Sequence, residues 1–342
     1  MNIREMAKIA GVSVATISRA TNPETRHLVS PETLEHIDAL IKRHGYTPNM
    51  IARNLSVQRT KMIGVILPYD HNLFFSSYHT QILAGIANFF LKSDYQFKLI
   101  LLHEKEEMWD NFSFKIGEGV DGLILNHWFR FFTSRMLSEI IDLPCVLIND
   151  YDKSVNASFV CEDGSMGGEL AAKHLYDMGH RNVAVITGGS HSRDGNNRIK
   201  GFTSCWQRLT GSDKTIPQRE GHFDNKEKTA KCLDSIVEEI PQTTGLFCCN
   251  DNMAFWAIER LREQGLSCPR DISIIGYDDD WRSAMYTPSL TTVRVPVYDI
   301  AQKAAHKILE SLKSDNPSKQ LHPGVEWIPV ELVQRGSVLP VK

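Results

Sequence analysis

No stretch of this chain approaches the ~20 consecutive apolar residues that a membrane-spanning helix requires. The opening Met-Asn-Ile-Arg-Glu-Met has no signal-peptide core, so the expectation is a cytoplasmic protein without a membrane partner. Seven cysteines (145, 161, 205, 232, 248, 249 and 268) form no CxxC, and several sit in apolar runs. They read as small buried residues in a reducing compartment, which excludes a disulfide framework and a zinc site. The thirteen histidines show neither HxxxH nor HxxEH spacing, so no metal ligand is assigned. Catalytic motifs are missing too: there is no GxSxG, no Walker loop and no GxGxxG at a first βα turn. Gly188-Gly189-Ser190 comes nearest to a phosphate loop, but it reads better as a strand end. No catalytic residue and no cofactor are assigned, and the chain is not read as an enzyme. The stretch Glu331-Leu332-Val333-Gln334-Arg335-Gly336-Ser337-Val338-Leu339-Pro340 has no heptad run, which argues against a tetramerising coiled coil.

Charge is present but unevenly spread. Residues 1–61 hold nine Lys/Arg against five Asp/Glu, a balance of +4, while the remainder is at −7 and the whole chain at −3. A basic head on an acidic body fits a phosphate-contacting module attached to something else. At 342 residues the chain is too long for one small domain. Removing the head leaves about 280 residues, enough for two packed α/β lobes.

The head has a start or stop signal at each boundary. Asn2 with Glu5 forms a capping arrangement, and Ile3, Met6, Ala7 and Ala10 then fall on one helical face before Gly11 stops the helix. Ser13 caps a second helix, whose Ile17 and Ala20 pack back while Val14, Ala15, Ser18 and Arg19 face outward. Ser30-Pro31-Glu32 opens a third, with the stripe Leu34, Ile37, Leu40, Ile41 and an end near Gly45. Two short helices around a Gly-containing turn are a helix-turn-helix, a major-groove reader of double-stranded DNA. Three short helices also occur in small domains that bind no nucleic acid, and the basic balance is what separates the two readings.

From Met1 to Leu55 the chain resembles the DNA-binding head of the lactose-repressor (LacI/GalR) family of bacterial transcription regulators, and the similarity continues along the chain. The resemblance implies a homodimer on a pseudo-palindromic operator, with each helix-turn-helix in a major groove and paired hinge helices in the minor groove. Carried over by position, Val14, Ala15 and Arg19 face base edges, Arg19 being the long donor able to contact guanine bidentately. Ser13, Thr16, Ser18, Asn22, Ser30 and Thr33 take phosphates. In the segment Pro48-Asn49-x-x-Ala52-Arg53-x-Leu55, Asn49 and Ala52 belong to the hinge contact, and Leu55 is the wedge between base steps; alone, Leu55 would read as a packed linker leucine. Two departures from the family pattern are the longer loop Pro23-Glu24-Thr25-Arg26-His27-Leu28 and Leu34, which stands where a basic residue often follows the threonine.

Beyond the head, short apolar runs alternate with helical segments. Strands are expected at 62–67, 97–102, 122–125 and 145–148, and again at 183–186, 245–249 and 272–275. Near-continuous apolar strands separated by helices call for parallel sheets covered on both faces, and the series runs twice. The expected fold is therefore an all-α helix-turn-helix domain with a hinge helix, followed by an α/β core of two doubly wound lobes. The boundaries are 1–46 for the head, 47–61 for hinge and linker, and 62–340 for the core. Within the core, 62–160 with 293–323 form one lobe and 161–290 with 324–340 the other.

Ligands of such sheets bind outside the carboxyl ends of the strands. Those ends carry Phe74-Phe75, Asp150, Glu162-Asp163-Gly164, Gly188-Gly189, Asn250-Asp251 and Asp278-Asp279-Asp280, with Arg198 on the helix after Gly188-Gly189. Carboxylates, an amide, an arginine and aromatic faces suit a polyhydroxylated ligand. The resemblance agrees: the family's core looks like a periplasmic sugar-binding protein, and by position it points to Phe74, Phe75, Asp163, Arg198, Phe223, Asn250 and Asp278 as effector contacts. Other readings stand beside these: Asp278–Asp280 as a solvated acidic turn, Asp163 as a helix cap, Phe75 as core. The expected function is a DNA-binding transcriptional regulator, of repressor type, of carbohydrate-utilisation genes, controlled by a small-molecule effector, a sugar before a purine or a sugar phosphate. A sugar receptor is the rival class, but it has no use for a basic head.

Overall fold

The computed structural model describes residues 1–22, 25–46, 60–69, 73–102, 119–127, 143–189, 193–314 and 321–341. The expected hinge helix, with Asn49, Ala52 and Leu55, lies outside them. Two compact units emerge, Met1–Lys61 and Met62–Lys342.

In the first unit α1 (Ile3–Ala10), α2 (Val14–Ala20) and α3 (Pro31–His44) form as their boundary residues dictate. Asn2 and Glu5 exchange both bonds of a capping box, and Gly11 closes α1 at a φ of 65°, where a side chain would be strained. Met6, Ala7, Ala10, Ile17, Ala20 and Ile37 bury their side chains together, with Leu34, Leu40 and Ile41 partly buried around them. The long loop folds back on α2: Arg26 donates to the Ala20 carbonyl at 2.8 Å and pairs with Asp38 of α3.

The second unit contains two sheets. The first comprises β1 (Met62–Pro68), β2 (Gln96–Leu102), β3 (Gly122–Asn126), β4 (Cys145–Ile148), β5 (Ser158–Glu162) and β11 (Gly324–Ile328), in the order β11-β5-β4-β3-β1-β2. The second comprises β6 (Val183–Thr187), β7 (Gln218–Glu220), β8 (Gly245–Cys248), β9 (Ser273–Asp278), β10 (Thr291–Arg294) and β12 (Glu331–Val333), in the order β12-β10-β9-β8-β6-β7. Pairing is parallel throughout except between β10 and β12. Strands β3, β4, β5, β6 and β8 are buried at every residue, as strands covered on both faces must be.

Helices α4 (Ser77–Phe90) and α9 (Val297–Ser311) pack with the first sheet; α5 (Gly164–Asp177), α6 (Arg193–Thr210), α7 (Lys226–Glu239) and α8 (Asp251–Glu263) pack with the second. The chain therefore passes between lobes at Asp163, at Val295-Pro296 and at Pro329-Val330. Two expected boundaries shift. Thr291–Arg294 runs beside β9 in the second lobe, and Gly324–Ile328 pairs with β5 in the first, so the last crossing comes after 328 and not at 324. β11 is an edge strand with Glu326 and Trp327 on it, and a half-exposed strand has no continuous apolar run to announce it. The same holds for β7 and β12.

Candidate functional site

The face of the head expected to meet DNA is built at helix N-termini. Ser13 Oγ accepts from the Thr16 N–H at 3.1 Å and lies 2.9 Å from Thr16 Oγ1. Ser30 repeats this on α3, 3.4 Å from the Thr33 N–H and 2.7 Å from Thr33 Oγ1. Each pair sets hydroxyls at the positive end of a helix dipole, where phosphate oxygens bind. Val14, Ala15, Ser18 and Arg19 are exposed on α2, while Ile17 and Ala20 are fully buried, so one helix divides cleanly between core and outer face. Asn22 is half-buried beyond its end.

In the core the strand ends form a connected polar network. Asn149 Nδ2 donates to the Tyr78 hydroxyl at 2.7 Å, and that hydroxyl donates to Asn126 Oδ1 at 3.0 Å. The Glu162 N–H donates to Asn149 Oδ1 at 3.0 Å, and His127 Nδ1 lies 2.9 Å from Asp150 Oδ2. Asp194 of α6 then reaches from the second lobe to the first, its Oδ1 accepting the Asp150 N–H at 3.1 Å, while Arg193 pairs with Asp152. Non-glycine residues with positive φ gather at these ends: His127, Asn149, Asp150, Asp278 and Asp279. Such strained backbone persists where surrounding structure over-determines it, often at functional sites.

Arg198 is the hub. Only 6% exposed, it donates from Nε and Nη2 to Glu162 Oε1 at 2.9 and 2.6 Å and from Nη1 to the Cys249 carbonyl at 2.6 Å. Nη1 also lies 3.5 Å from Asp278 Oδ1, and the guanidinium carbon is 3.8 Å from the centre of the Tyr277 ring. Burial alone would depress its pKa, but Glu162 and Asp278 overcome that and hold it charged. The helix carrying Arg198 is drawn in by glycine. A Cβ on Gly168 of α5 would stand 1.9 Å from the Arg198 carbonyl oxygen, and one on Gly201 of α6 would stand 2.0 Å from the Ser165 carbonyl oxygen. The two backbones touch because neither residue has a side chain.

Asp194, Glu162, Asp278 and Asp251 are all displaced from their ordinary state, Asp278 well upward by burial against the opposing pull of Arg198. Burial, reinforced by the Asp150 charge, lifts Asp194 to about 7. Burial does the same to Glu162, against the opposing pull of Arg198. Asp251 also rises to about 7 by burial, but its carboxylate accepts from Thr292, Ser283 and the Asp280 N–H, a structural pin between β10 and the loop after β9.

Of the sequence-expected effector residues, Arg198 and Asp278 meet directly. Asp163 takes the capping role: its carboxylate accepts the Met166 N–H of α5 at 2.9 Å. Asn250 caps α8 through the Met253 N–H at 2.9 Å and turns its amide towards the Phe223 carbonyl at 3.4 Å. The Phe223 ring covers Gly188, where a Cβ would lie 2.0 Å from it. Phe74 and Phe75 are 62% and 86% exposed, which ends the core reading of Phe75. The acidic run is no solvated turn: Asp278 meets Arg198, Asp279 pairs with Arg294 and Arg335, and Asp280 with Arg282. Sequence reasoning missed Tyr78, Asn126, His127, Asn149 and Asp194 as members of the network. The signal available for Asn126 and Asn149 was their place as the first polar residue after an apolar run.

The described cysteines are free; six are buried and Cys268 is partly so. Among the described residues no group of His, Cys, Asp or Glu is placed to hold a metal ion, and no helix is long and apolar enough to cross a membrane.

A capped helix-turn-helix with a basic balance, followed by two parallel-sheet lobes joined by a polar network at their strand ends, defines a ligand-binding core coupled in sequence to a DNA-reading head. Residues 2–49 match the bacterial regulatory proteins of the lacI family, and residues 172–338 match a periplasmic binding protein-like domain. The HTH-type transcriptional repressor PurR of Haemophilus influenzae is 30% identical over 338 residues, 98% of each chain. The ribose operon repressor of Haemophilus influenzae is 29% identical over 318 residues, 92% of each. Among solved structures, the lac repressor dimer bound to operator and the anti-inducer ONPF superposes with a TM-score of 0.83 over 99% of both chains at 24% identity. A LacI family regulator from Enterococcus faecalis V583 with bound ribose superposes at 0.69 over 82% of this chain and 100% of that one, at 28% identity. The chain belongs to the lacI family of bacterial regulatory proteins.

Proposed function

We propose that this chain is a transcriptional repressor of carbohydrate-utilisation genes, binding a pseudo-palindromic operator as a homodimer and answering to a small polyhydroxylated effector held between its lobes. The observation that carries the effector reading is the network from Tyr78 and Asn126 through Asn149 and Glu162 to Arg198 and Asp278. Planar donors and acceptors at fixed positions are what a hydroxylated ring requires, and Phe223 and Phe74 supply faces for its C–H edges. The ribose operon repressor among the relatives supports a sugar. The PurR relatives support a purine stacked on the same rings as the second reading.

On the head, Arg19 reads a base edge, and the Ser13/Thr16 and Ser30/Thr33 pairs fix register on phosphates. Coupling is by linkage: an effector that binds one arrangement of the lobes better shifts the dimer towards it, and operator affinity follows.

A thermal-shift screen of the full-length protein against sugars and purines tests this, because a ligand at 100 times its dissociation constant adds about 2.7 kcal/mol of stability. The stabilising ligand is then added to an operator-binding titration, where release marks an inducer and tightening a corepressor. A purine that stabilises while every sugar fails replaces the sugar reading, and a stabilising ligand without effect on operator affinity removes the linkage.

A further inference from the structure

The polar network occupies the carboxyl ends of the strands. At the opposite end of the second sheet, where β6 begins at Val183 and the chain leads into β7, a pocket of about 270 Å³ opens between the end of α6 and the turn after α7. β6 has five residues, so roughly 16 Å of strand separates this pocket from the network. Arg181, Lys214, Ser212, Thr215 and Thr243 line it together with the buried Trp206, and no carboxylate stands among the described lining residues. On a core whose charge balance is −7, two cations around one pocket without an acid between them reverse the local sign.

Helix capping explains part of this arrangement. Arg181 Nη1 donates to the Tyr176 and His180 carbonyls at 2.9 and 2.8 Å where α5 ends, and its guanidinium carbon lies 3.9 Å from the centre of the Tyr176 ring. These bonds hold the guanidinium in place, and no carboxylate among the described residues neutralises it. Capping does not account for Lys214, whose N–H donates to Ser212 Oγ at 3.2 Å while its ammonium has no partner among the described residues. Nor does it account for Thr243. That residue is only 5% exposed, and its Oγ1 is buried with no hydrogen-bond partner among the described residues. A buried hydroxyl left unpaired carries a desolvation cost, which a ligand oxygen removes.

We propose that this pocket is a second small-molecule site and that its ligand is a phosphorylated sugar, the phosphate meeting Arg181 and Lys214 and the sugar hydroxyls meeting Thr215 and Thr243 beside Trp206. A phosphate ester carries a charge of about −1.5 to −2 at pH 7, which two cations without carboxylate partners match. Trp206 supplies an apolar face for the C–H edges of the sugar. The volume falls just short of the ~300 Å³ at which pockets for drug-sized ligands begin, so a nucleotide is too large. The proposal does not depend on the effector site at the other end of the sheet.

The test is calorimetric titration of the full-length protein with glucose 6-phosphate, fructose 6-phosphate and ribose 5-phosphate. Each is set against its neutral sugar, with inorganic phosphate and adenosine monophosphate as further ligands. At least one ester is expected to bind about tenfold tighter than its neutral sugar, inorganic phosphate or the nucleotide. Lys214→Ala, on an exposed loop, should weaken that ester about tenfold. Thr243→Val should weaken it about fivefold and leave the unfolding midpoint unchanged or raised, because the hydroxyl it removes has no partner in the protein. If Thr243→Val misfolds, Lys214→Ala carries the decision. An ester that binds the parent and the variants alike sits elsewhere, at the effector site or on the head, and overturns the proposal. A neutral sugar, bare phosphate or nucleotide that matches the ester overturns it as well, and so does silence from all of the esters.

Discussion

Asp194 owes its raised pKa to where the fold puts it, buried against the Asp150 backbone and charge, with Arg198 opposing the effect. Its carboxyl moves from 3.8 to about 7, so its favourable contribution to stability is complete below the unfolded value and is lost as pH rises through the folded one. Asp194→Asn keeps an acceptor for the Asp150 N–H and has no charge to desolvate. Denaturant unfolding between about pH 5 and pH 8 should show the parent weakening and the variant flatter, with the variant ahead at the upper end by up to ~4 kcal/mol at 1.36 kcal/mol per pKa unit. Glu162 and Asp251, both also lifted to about 7, and Asp278, lifted well above its ordinary value, leave a residual slope; an unaltered slope would assign the whole effect to them. Arg19 carries the residue-scale prediction for the head. Exposed on α2, it should give way in Arg19→Ala to relaxed preference at one base pair per half-site, by about 1–3 kcal/mol. Equal weakening on all sequences would make Arg19 a phosphate contact. What was legible at this scale was residue type: Asp278 and Asn250 at strand ends, and Arg198 on the helix after Gly188-Gly189, of which Arg198 and Asp278 meet. Tyr78 and His127 escaped because neither lies in a motif; Tyr78 sits in the first turn of α4, and only the sheet order brings it to Asn126 and Asn149.

Helices and strands were legible in proportion to how one-sided their environment is. The head's three helices could be bounded from Asn2, Ser13, Ser30, Gly11 and Gly45 because caps are local chemistry, satisfied within four residues. Edge strands β7, β11 and β12 were missed because their exposed faces break the apolar run, and the domain boundary at 324 was misplaced for that reason. The contact of α5 with α6 was equally hidden. Glycines inside a helical pattern read as weaknesses, yet Gly168 and Gly201 are what let the helices meet at the backbone and set Arg198 against Glu162. Gly201→Ala must displace the Ser165 carbonyl, and backbone has little room to yield. We expect loss of about 1–3 kcal/mol of core stability, the scale of overpacking, together with a weakened effector response. Gly201 lies inside helix α6, where alanine is otherwise the better helix former, so a loss in Gly201→Ala traces to the α5–α6 contact; an unchanged or raised stability would remove that contact as the reason for the glycine.

At the scale of the whole molecule the function depends on joining a DNA reader to a ligand sensor. Leu55, which falls outside the described residues, is the proposed wedge, and Leu55→Ala should lower affinity for a palindromic operator while sparing an isolated half-site. Equal loss on both would return Leu55 to the role of a packed linker residue. Val14 and Ala15 are small and exposed, so the proposed reading by Arg19 and thymine-methyl contact would leave much of the specificity to DNA deformation and half-site spacing. By itself the sequence determined the helix-turn-helix, the two runs of parallel strands and the division of charge between head and body. These follow from short-range periodicity, capping and composition, which need no knowledge of distant residues. Only the tertiary structure decided that Asp194 meets Asp150, that Glu162 receives Arg198, and that the last crossing between lobes comes at Pro329-Val330. Those contacts join residues far apart in the chain, and strand order, set by how the sheets bury their faces, determines which strand ends become neighbours.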